Sequence, residues 1–304
     1  MKKNIIFLLL ICFYQMISAQ SANFYLEEGI KKAKKNQLSA AIKDFTAAIE
    51  IDSTYARAYY NRGIARYNQD DNKKAAKDFD KAIELGLNLY VVYNMKGITK
   101  LNSNQYMDAV KAFDKALELD PDQAMTHKNR GVARFKIGEI DKAIDDFTRA
   151  IELAPKDHDA YYNRGYAYYH NNKYEKALED LNKALSINSF NMDAVFQRGM
   201  TNLELENHKE AIKDFNKIIK LKNDDEASAY LYRAMAKIKM GQKESAVDDL
   251  GESILKNPNN AYAYYIRGNL FLEQEQFDAA CMDWKEAEKM GMARAAMQLK
   301  EYCE

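Results

Sequence analysis

The sequence predicts an all-α solenoid of about eight helical hairpins, and three recurrences carry that prediction. A small residue returns every thirty-four positions, at Gly29, Gly63, Gly97, Gly131, Gly165 and Gly199, then at Ala234 after one inserted residue, then at Gly268. Twelve positions after each comes alanine, from Ala41 and Ala75 through to Ala246 and Ala280. Four positions further on comes a large apolar side chain: Phe45, Phe79, Phe113, Phe147, Leu181, Phe215, Leu250 and Trp284. A fixed period of this length belongs to stacked supersecondary units, each too small to bury its own apolar face.

Within each period the apolar spacing is helical. In the second repeat Tyr59, Tyr60, Gly63, Ile64 and Tyr67 recur at three- and four-residue steps, which predicts a first helix. The polar run Asn68-Gln69-Asp70-Asp71-Asn72 predicts a turn, and Ala75, Ala76, Phe79, Ala82 and Ile83 predict a second helix. Pro121, Pro155 and Pro258 all fall at the same place near the end of a repeat, where a helix must stop. The expected repeats are 22–55, 56–89, 90–123, 124–157, 158–191, 192–226, 227–260 and 261–294, with a capping helix over 292–304. The extra residue falls in Lys222-Asn223-Asp224-Asp225-Glu226, and the sixth repeat carries Ile218 where its sisters carry a small residue. Gly29 and its counterparts are expected to face the recurrent alanine of the partner helix, so that two missing side chains let the backbones approach.

Residues 1–19 read as a signal peptide: Lys2 and Lys3, an apolar stretch from Ile5 to Tyr14, then Ile17-Ser18-Ala19 ahead of Gln20. The expected destination is the periplasm or outer envelope. The oxidising environment there makes Cys281 and Cys303, the two cysteines beyond the signal, a disulfide pair. Reversing the chain at Gly291 puts both at matching height on neighbouring helices. Forty-five basic residues balance forty-five acidic ones with no basic run, which argues against a nucleic-acid partner.

Tyr59-Tyr60-Asn61-Arg62-Gly63, Tyr161-Tyr162-Asn163-Arg164-Gly165 and the stretch from Ala109 to Pro121 resemble the tetratricopeptide repeat. The family places an aromatic residue at position four, Gly at eight, Ala at twenty, Phe or Tyr at twenty-four and Pro at thirty-two. The resemblance implies a right-handed α-solenoid that acts as a non-catalytic scaffold for protein or peptide partners. It also implies a concave lining from first-helix positions two, five, nine and thirteen. The candidate groove residues on that basis are Tyr60, Asn94, Lys128, Tyr162, Tyr166, Phe196, Met200, Met235 and Tyr265, with Leu231 also at such a position. The lysine and asparagine clamp used by chaperone adaptors of the family is absent: in register with Lys128, the later places hold Val132, Asp193 and Gln197.

Positions seven and twenty-three form a second pattern. Position seven is Arg62, Lys96, Arg130, Arg164, Arg198, Arg233 and Arg267 from the second repeat on; position twenty-three is Asp78, Ala112, Asp146, Asp180, Asp214, Asp249 and Asp283. Both are symmetric about the turn, so a ladder of charge-assisted hydrogen bonds within or between hairpins is expected, and the one lysine coincides with the one alanine. His127, His158, His170 and His208 have no metal-ligand spacing, and neither a phosphate loop nor a nucleophile motif occurs, so no metal, cofactor, small-molecule substrate or enzymatic activity is expected. The rival to a peptide-binding scaffold is a structural spacer or self-assembling envelope module with an unoccupied groove.

Overall fold

The computed structural model describes residues 20–221 and 226–303, all of their regular structure α-helical. The first helix, α1, covers residues 20–34, and α2 is Leu38–Ile51. There follow α3 (Ala56–Tyr67), α4 (Asn72–Glu84), α5 (Tyr90–Asn102), α6 (Tyr106–Leu119), α7 (Ala124–Lys136) and α8 (Ile140–Leu153). The chain then continues through α9 (His158–His170), α10 (Tyr174–Ile187), α11 (Met192–Glu204), α12 (His208–Leu221), α13 (Glu226–Lys239) and α14 (Lys243–Lys256). It ends with α15 (Ala261–Glu273), α16 (Phe277–Lys289) and α17 (Ala293–Tyr302). Consecutive helices pair as hairpins in the predicted register, and the chain divides into two compact units, Met1–Pro155 and Lys156–Glu304. The signal-peptide reading and most of the inserted loop, residues 222–225, lie outside the described residues.

Each hairpin turns on a residue with positive φ at position fifteen. These are Asn36, Asp70, Asn104, Asn172, Glu206 and Glu275, with Gly138 and Gly241 in the fourth and seventh hairpins. Asparagine and aspartate tolerate this left-handed backbone because their short side chains bond locally; glutamate does so less well. Several first helices are capped by the residue before them. Asp157 accepts from the backbone N–H of Asp159 and Ala160, Asn191 from Ala194, and Asn260 from Ala263.

The recurrent glycine has a different partner from the expected alanine. A Cβ on Gly29, Gly63, Gly97, Gly131, Gly199 or Gly268 would lie 2.5–2.8 Å from the ring at position twenty-four of the same hairpin. The ring, not a second missing side chain, fills the space between the helices: Phe45, Phe79, Phe113, Phe147, Phe215 and Trp284 are all fully buried. Burying a ring of this size is worth about 1.5–3 kcal/mol, more than the helix propensity that glycine gives up. The fifth hairpin has Leu181, and a Cβ on Gly165 would stand 3.1 Å from its Cγ. The seventh also has leucine at this place, Leu250, and there the small residue is Ala234. Ile218, the departure in the sixth repeat, is fully buried.

The arginine ladder forms. Arg62, Arg130, Arg164, Arg198, Arg233 and Arg267 each donate from Nε and Nη2 to the aspartate sixteen residues on. These aspartates are buried to within a few per cent. Several arginines also reach the preceding hairpin: Arg62 Nη1 to Thr46, Arg130 Nη1 to Asp114, Arg198 Nη1 to Asn182 and Arg233 Nη1 to Asn216. One side chain thus closes its own hairpin and ties it to its neighbour, which a planar guanidinium can do and an ammonium cannot.

At the C-terminus, Gly291 (φ +87°) ends α16. The N–H of Met292 bonds Ala287 O and that of Gly291 bonds Glu288 O, a reversal that glycine adopts without strain. Helix α17 then lays Ala295 and Leu299 over Trp284 and Ala287. This brings Cys281 and Cys303 together with Cα atoms 5.9 Å apart and sulfurs at bonding distance.

Candidate functional site

Positions two, five, nine and thirteen lie along one face of each first helix, and the structure sorts their residues into two kinds. Some are partly absorbed by packing. The Tyr60 ring lies 6.0 Å from Phe79, and its burial raises the hydroxyl pKa above the ordinary tyrosine value. Asn94 accepts at 3.1 Å from the Thr126 hydroxyl of the next hairpin, and Lys128 is half-buried on the same unit. Phe196 packs edge-on against Phe215 at 5.9 Å and Tyr232 at 5.7 Å, so much of this expected groove aromatic faces the interior seam. Tyr265 packs on the cluster around Trp284. Leu231 is 6% exposed and is core, clustered with Ala234, Leu250 and Ile254.

The others make an accessible surface in the second unit. Tyr162 and Tyr166 lie 6.1 Å apart, and His170 meets the edge of Tyr166 at 4.5 Å. Partial burial lowers the His170 pKa below the usual histidine value, so its ring is neutral at pH 7. Tyr169, which lies 5.5 Å from His170, donates to Glu204 Oε1 at 3.4 Å. Its own pKa is pushed up to about 12, first by burial and then by the Glu204 charge.

Beyond Glu204, the face opens into a recess of about 300 Å³ between α11 and α13. Met200, Leu203, Tyr232 and Met235 make its apolar wall, and Glu204, Glu206, His208 and Lys239 complete the lining. The thioethers are unbranched and adapt to irregular partners, and the tyrosine offers a flat surface with a polar edge. Such a lining holds an apolar side chain and orients the chain that bears it. Met200 and Met235 come from the predicted set; Tyr232, at position six, does not, and it stacks on Phe215 at 6.0 Å and meets Phe196 edge-on at 5.7 Å. Among the described residues no group of three or more His, Cys, Asp or Glu side chains is arranged to hold a metal, and no helix is long and apolar enough to cross a membrane.

Profiles of the tetratricopeptide repeat match residues 94–158, 129–191 and 231–289, more than half of the chain, and related repeat profiles match 31–70, 56–88 and 193–225. The chain belongs to the tetratricopeptide repeat family. Solved members share its fold. YrrB, a tetratricopeptide repeat protein described as having an unusual peptide-binding site, is 29% identical over 56% of this chain and 88% of its own, with a TM-score of 0.53. A tetratricopeptide repeat protein from Parabacteroides merdae covers 92% of this chain and 96% of its own at 22% identity and a TM-score of 0.52. The Cut9–Hcn1 hetero-tetramer of the APC/C matches over 88% of this chain and 53% of its own, at 18% identity and a TM-score of 0.61. No curated protein matches the chain.

Proposed function

We propose that the protein is a non-catalytic scaffold that binds a peptide or protein segment along positions two, five, nine and thirteen of its first helices, with the Met200–Met235 recess as the main anchor. The recess carries this reading: it combines adaptable apolar walls with two glutamates, a histidine and a lysine, the composition of a side-chain pocket in a peptide groove. YrrB, similar over about half of this chain, is described as binding peptide, which supports the same reading. The structural-spacer alternative draws on Phe196 and Tyr60, whose packing explains them without a ligand, but it leaves the recess without a role.

The test selects peptides from a displayed library on the mature chain and measures them against Met200→Ala/Met235→Ala. Both methionines are partly buried, packed against the core from the groove side rather than within it, so helical content should hold while affinity falls at least about tenfold, the loss expected of an anchor pocket. Equal affinity in the variant would move the site off this face.

The reading also places the protein in the periplasm or outer envelope, as a component of an envelope complex, after cleavage behind Ala19 and with Cys281–Cys303 oxidised. The closeness of the two sulfurs supports the pairing. Amino-terminal sequencing of protein purified from an envelope fraction should begin at Gln20, and thiol counting on the denatured, unreduced protein should find none free. Two free thiols per chain would contradict the oxidised pair.

A further inference from the structure

The third hairpin departs from its sisters in a way that vacates a carboxylate site. In the second, fourth and seventh hairpins, cations at positions seven and eleven both bond the aspartate at position twenty-three. Arg62 and Arg66 hold Asp78, Arg130 and Arg134 hold Asp146, and Arg233 and Lys237 hold Asp249. The first hairpin keeps half of the arrangement, with Lys32 on Asp44 at 2.6 Å. The third hairpin has both cations, Lys96 and Lys100, but Ala112 in place of the acid.

The two lysines therefore turn elsewhere. Lys96 reaches back to Asp80 on α4 at 2.6 Å, and Lys100 donates to the Gln105 side chain at 2.8 Å. Where the aspartate would stand there is a recess of about 320 Å³ over Ala112. Its lining adds Tyr93, Lys111 and Lys115, and its four lysines outnumber its two aspartates, Asp80 and Asp108. Lys111 and Lys115 engage Asp108 and Glu118 from the outer rim, where all four side chains are half or more exposed, so these contacts exchange readily with solvent or ligand.

We infer that this recess binds an aspartate or glutamate side chain of a partner polypeptide, whose carboxylate takes the place beside Lys96 and Lys100 that Asp78, Asp146 and Asp249 take in their own hairpins. In the sister hairpins this backbone seats a carboxylate between cations at these two positions, an arginine at seven and an arginine or lysine at eleven; the third hairpin keeps a cation at both places, as lysine, and lacks the acid. Net positive lining supplies the complementarity, and the Tyr93 ring and Ala112 methyl give the ligand's methylenes an apolar wall. The site uses positions four, seven and eleven with the second helix, a different face from the groove of the proposed function, and does not depend on that reading.

The decisive variant is Ala112→Asp, which supplies the acid from within. Anisotropy of a labelled glutamate-rich peptide on the mature chain should show saturable binding, and the glutamine counterpart should not bind. Ala112→Asp and Lys100→Gln should each weaken the glutamate peptide about tenfold, the equivalent of one charge-assisted hydrogen bond. Lys300→Gln, which removes an exposed lysine of α17 that lines neither recess, should leave it unchanged. Absence of saturable binding, equal binding of the glutamine peptide, or wild-type affinity in Ala112→Asp would overturn the proposal. Displacement of the peptide by equimolar inorganic phosphate would overturn the assignment to a polypeptide acid. Lys100→Gln introduces no buried charge, so it keeps the test open should Ala112→Asp disturb folding.

Discussion

Hairpins three and four share a backbone plan, but where four has Arg130, Arg134 and a buried acid, three has Lys96, Lys100 and Ala112. In hairpin four, Asp146 gathers Arg130, Arg134 and, at 3.6 Å, the His127 ring, and Asp114 of hairpin three completes the group. In hairpin three that acid is Ala112, yet Phe113 is as fully buried as Phe147 and the helices keep the same register. The ladder is therefore not what makes a hairpin. The large buried apolar side chain at position twenty-four, a ring in most hairpins and a leucine in five and seven, does that; the arginine–aspartate pair is added to it, fixing hairpins to one another where it is complete and leaving the cations to other partners, Asp80 and Gln105, where it is not.

The largest effect that separates these roles is in hairpin four. Asp146→Ala leaves Arg130 and Arg134 in a mostly buried place with the half-exposed Asp114 to share and, for Arg134, Glu139 at 3.9 Å, and should cost about 3 kcal/mol in chemical unfolding. A neutral outcome would make hairpin three the rule rather than the exception. Next comes the glycine. Gly97→Ala and Gly131→Ala push a methyl to 2.5–2.7 Å from a buried ring in hairpins three and four alike, and each should cost about 2 kcal/mol. Gly165→Ala meets a leucine at 3.1 Å instead and should stay within about 0.5 kcal/mol of wild type, since alanine's helix propensity offsets the crowding. If all three cost the same, the ring contact is not the reason for the glycine.

A smaller effect is read in acid. Burial alone would raise the Asp146 pKa, but the His127 ring 3.6 Å away, the hydrogen bonds from Arg130 and the charges of Arg130 and Arg134 outweigh it, and the carboxyl lies below its ordinary value. Its contribution is thus fully present above the unfolded aspartate pKa of about 3.9 and is lost as pH falls through the lowered folded value. Asp180 lacks the second arginine; its burial, aided by the Glu179 charge, outweighs Arg164 and raises its pKa, so its proton stabilises the fold as pH falls. Asp146→Asn should flatten the loss of stability below about pH 4, and Asp180→Asn should steepen it. Equal effects of the two substitutions would mean the two aspartates are held alike. The smallest effect concerns the turns: Glu206→Gly relieves a left-handed glutamate and should add about 0.5–1 kcal/mol, whereas Gly138→Glu in hairpin four should remove as much.

Much of this was legible in the sequence because period and symmetry about a turn are one-dimensional facts. The hairpins, the pairing of positions seven and twenty-three, the capping helix and the closeness of Cys281 to Cys303 follow from counting. What sits over Gly63 does not follow from counting, because position twenty reaches the same height as the ring of position twenty-four and only the side chain's direction decides between them. Phe196 reads as a groove residue by position and turns out to be shared with the core, since the rings of Phe215 and Tyr232 draw it inward. The cations at position eleven were visible as Arg66, Lys100, Arg134 and Lys237, but their meaning needs the distance to position twenty-three.

The central claim is that positions seven and eleven form a carboxylate seat in every hairpin where both are basic, filled by the chain itself except over Ala112. Thermal and chemical unfolding of Ala112→Asp test it most directly. A seat already built should accept the new acid between Lys96 and Lys100 and gain about 1–2 kcal/mol. A loss of stability would show that the buried acid is not solvated by these lysines, and would contradict the account.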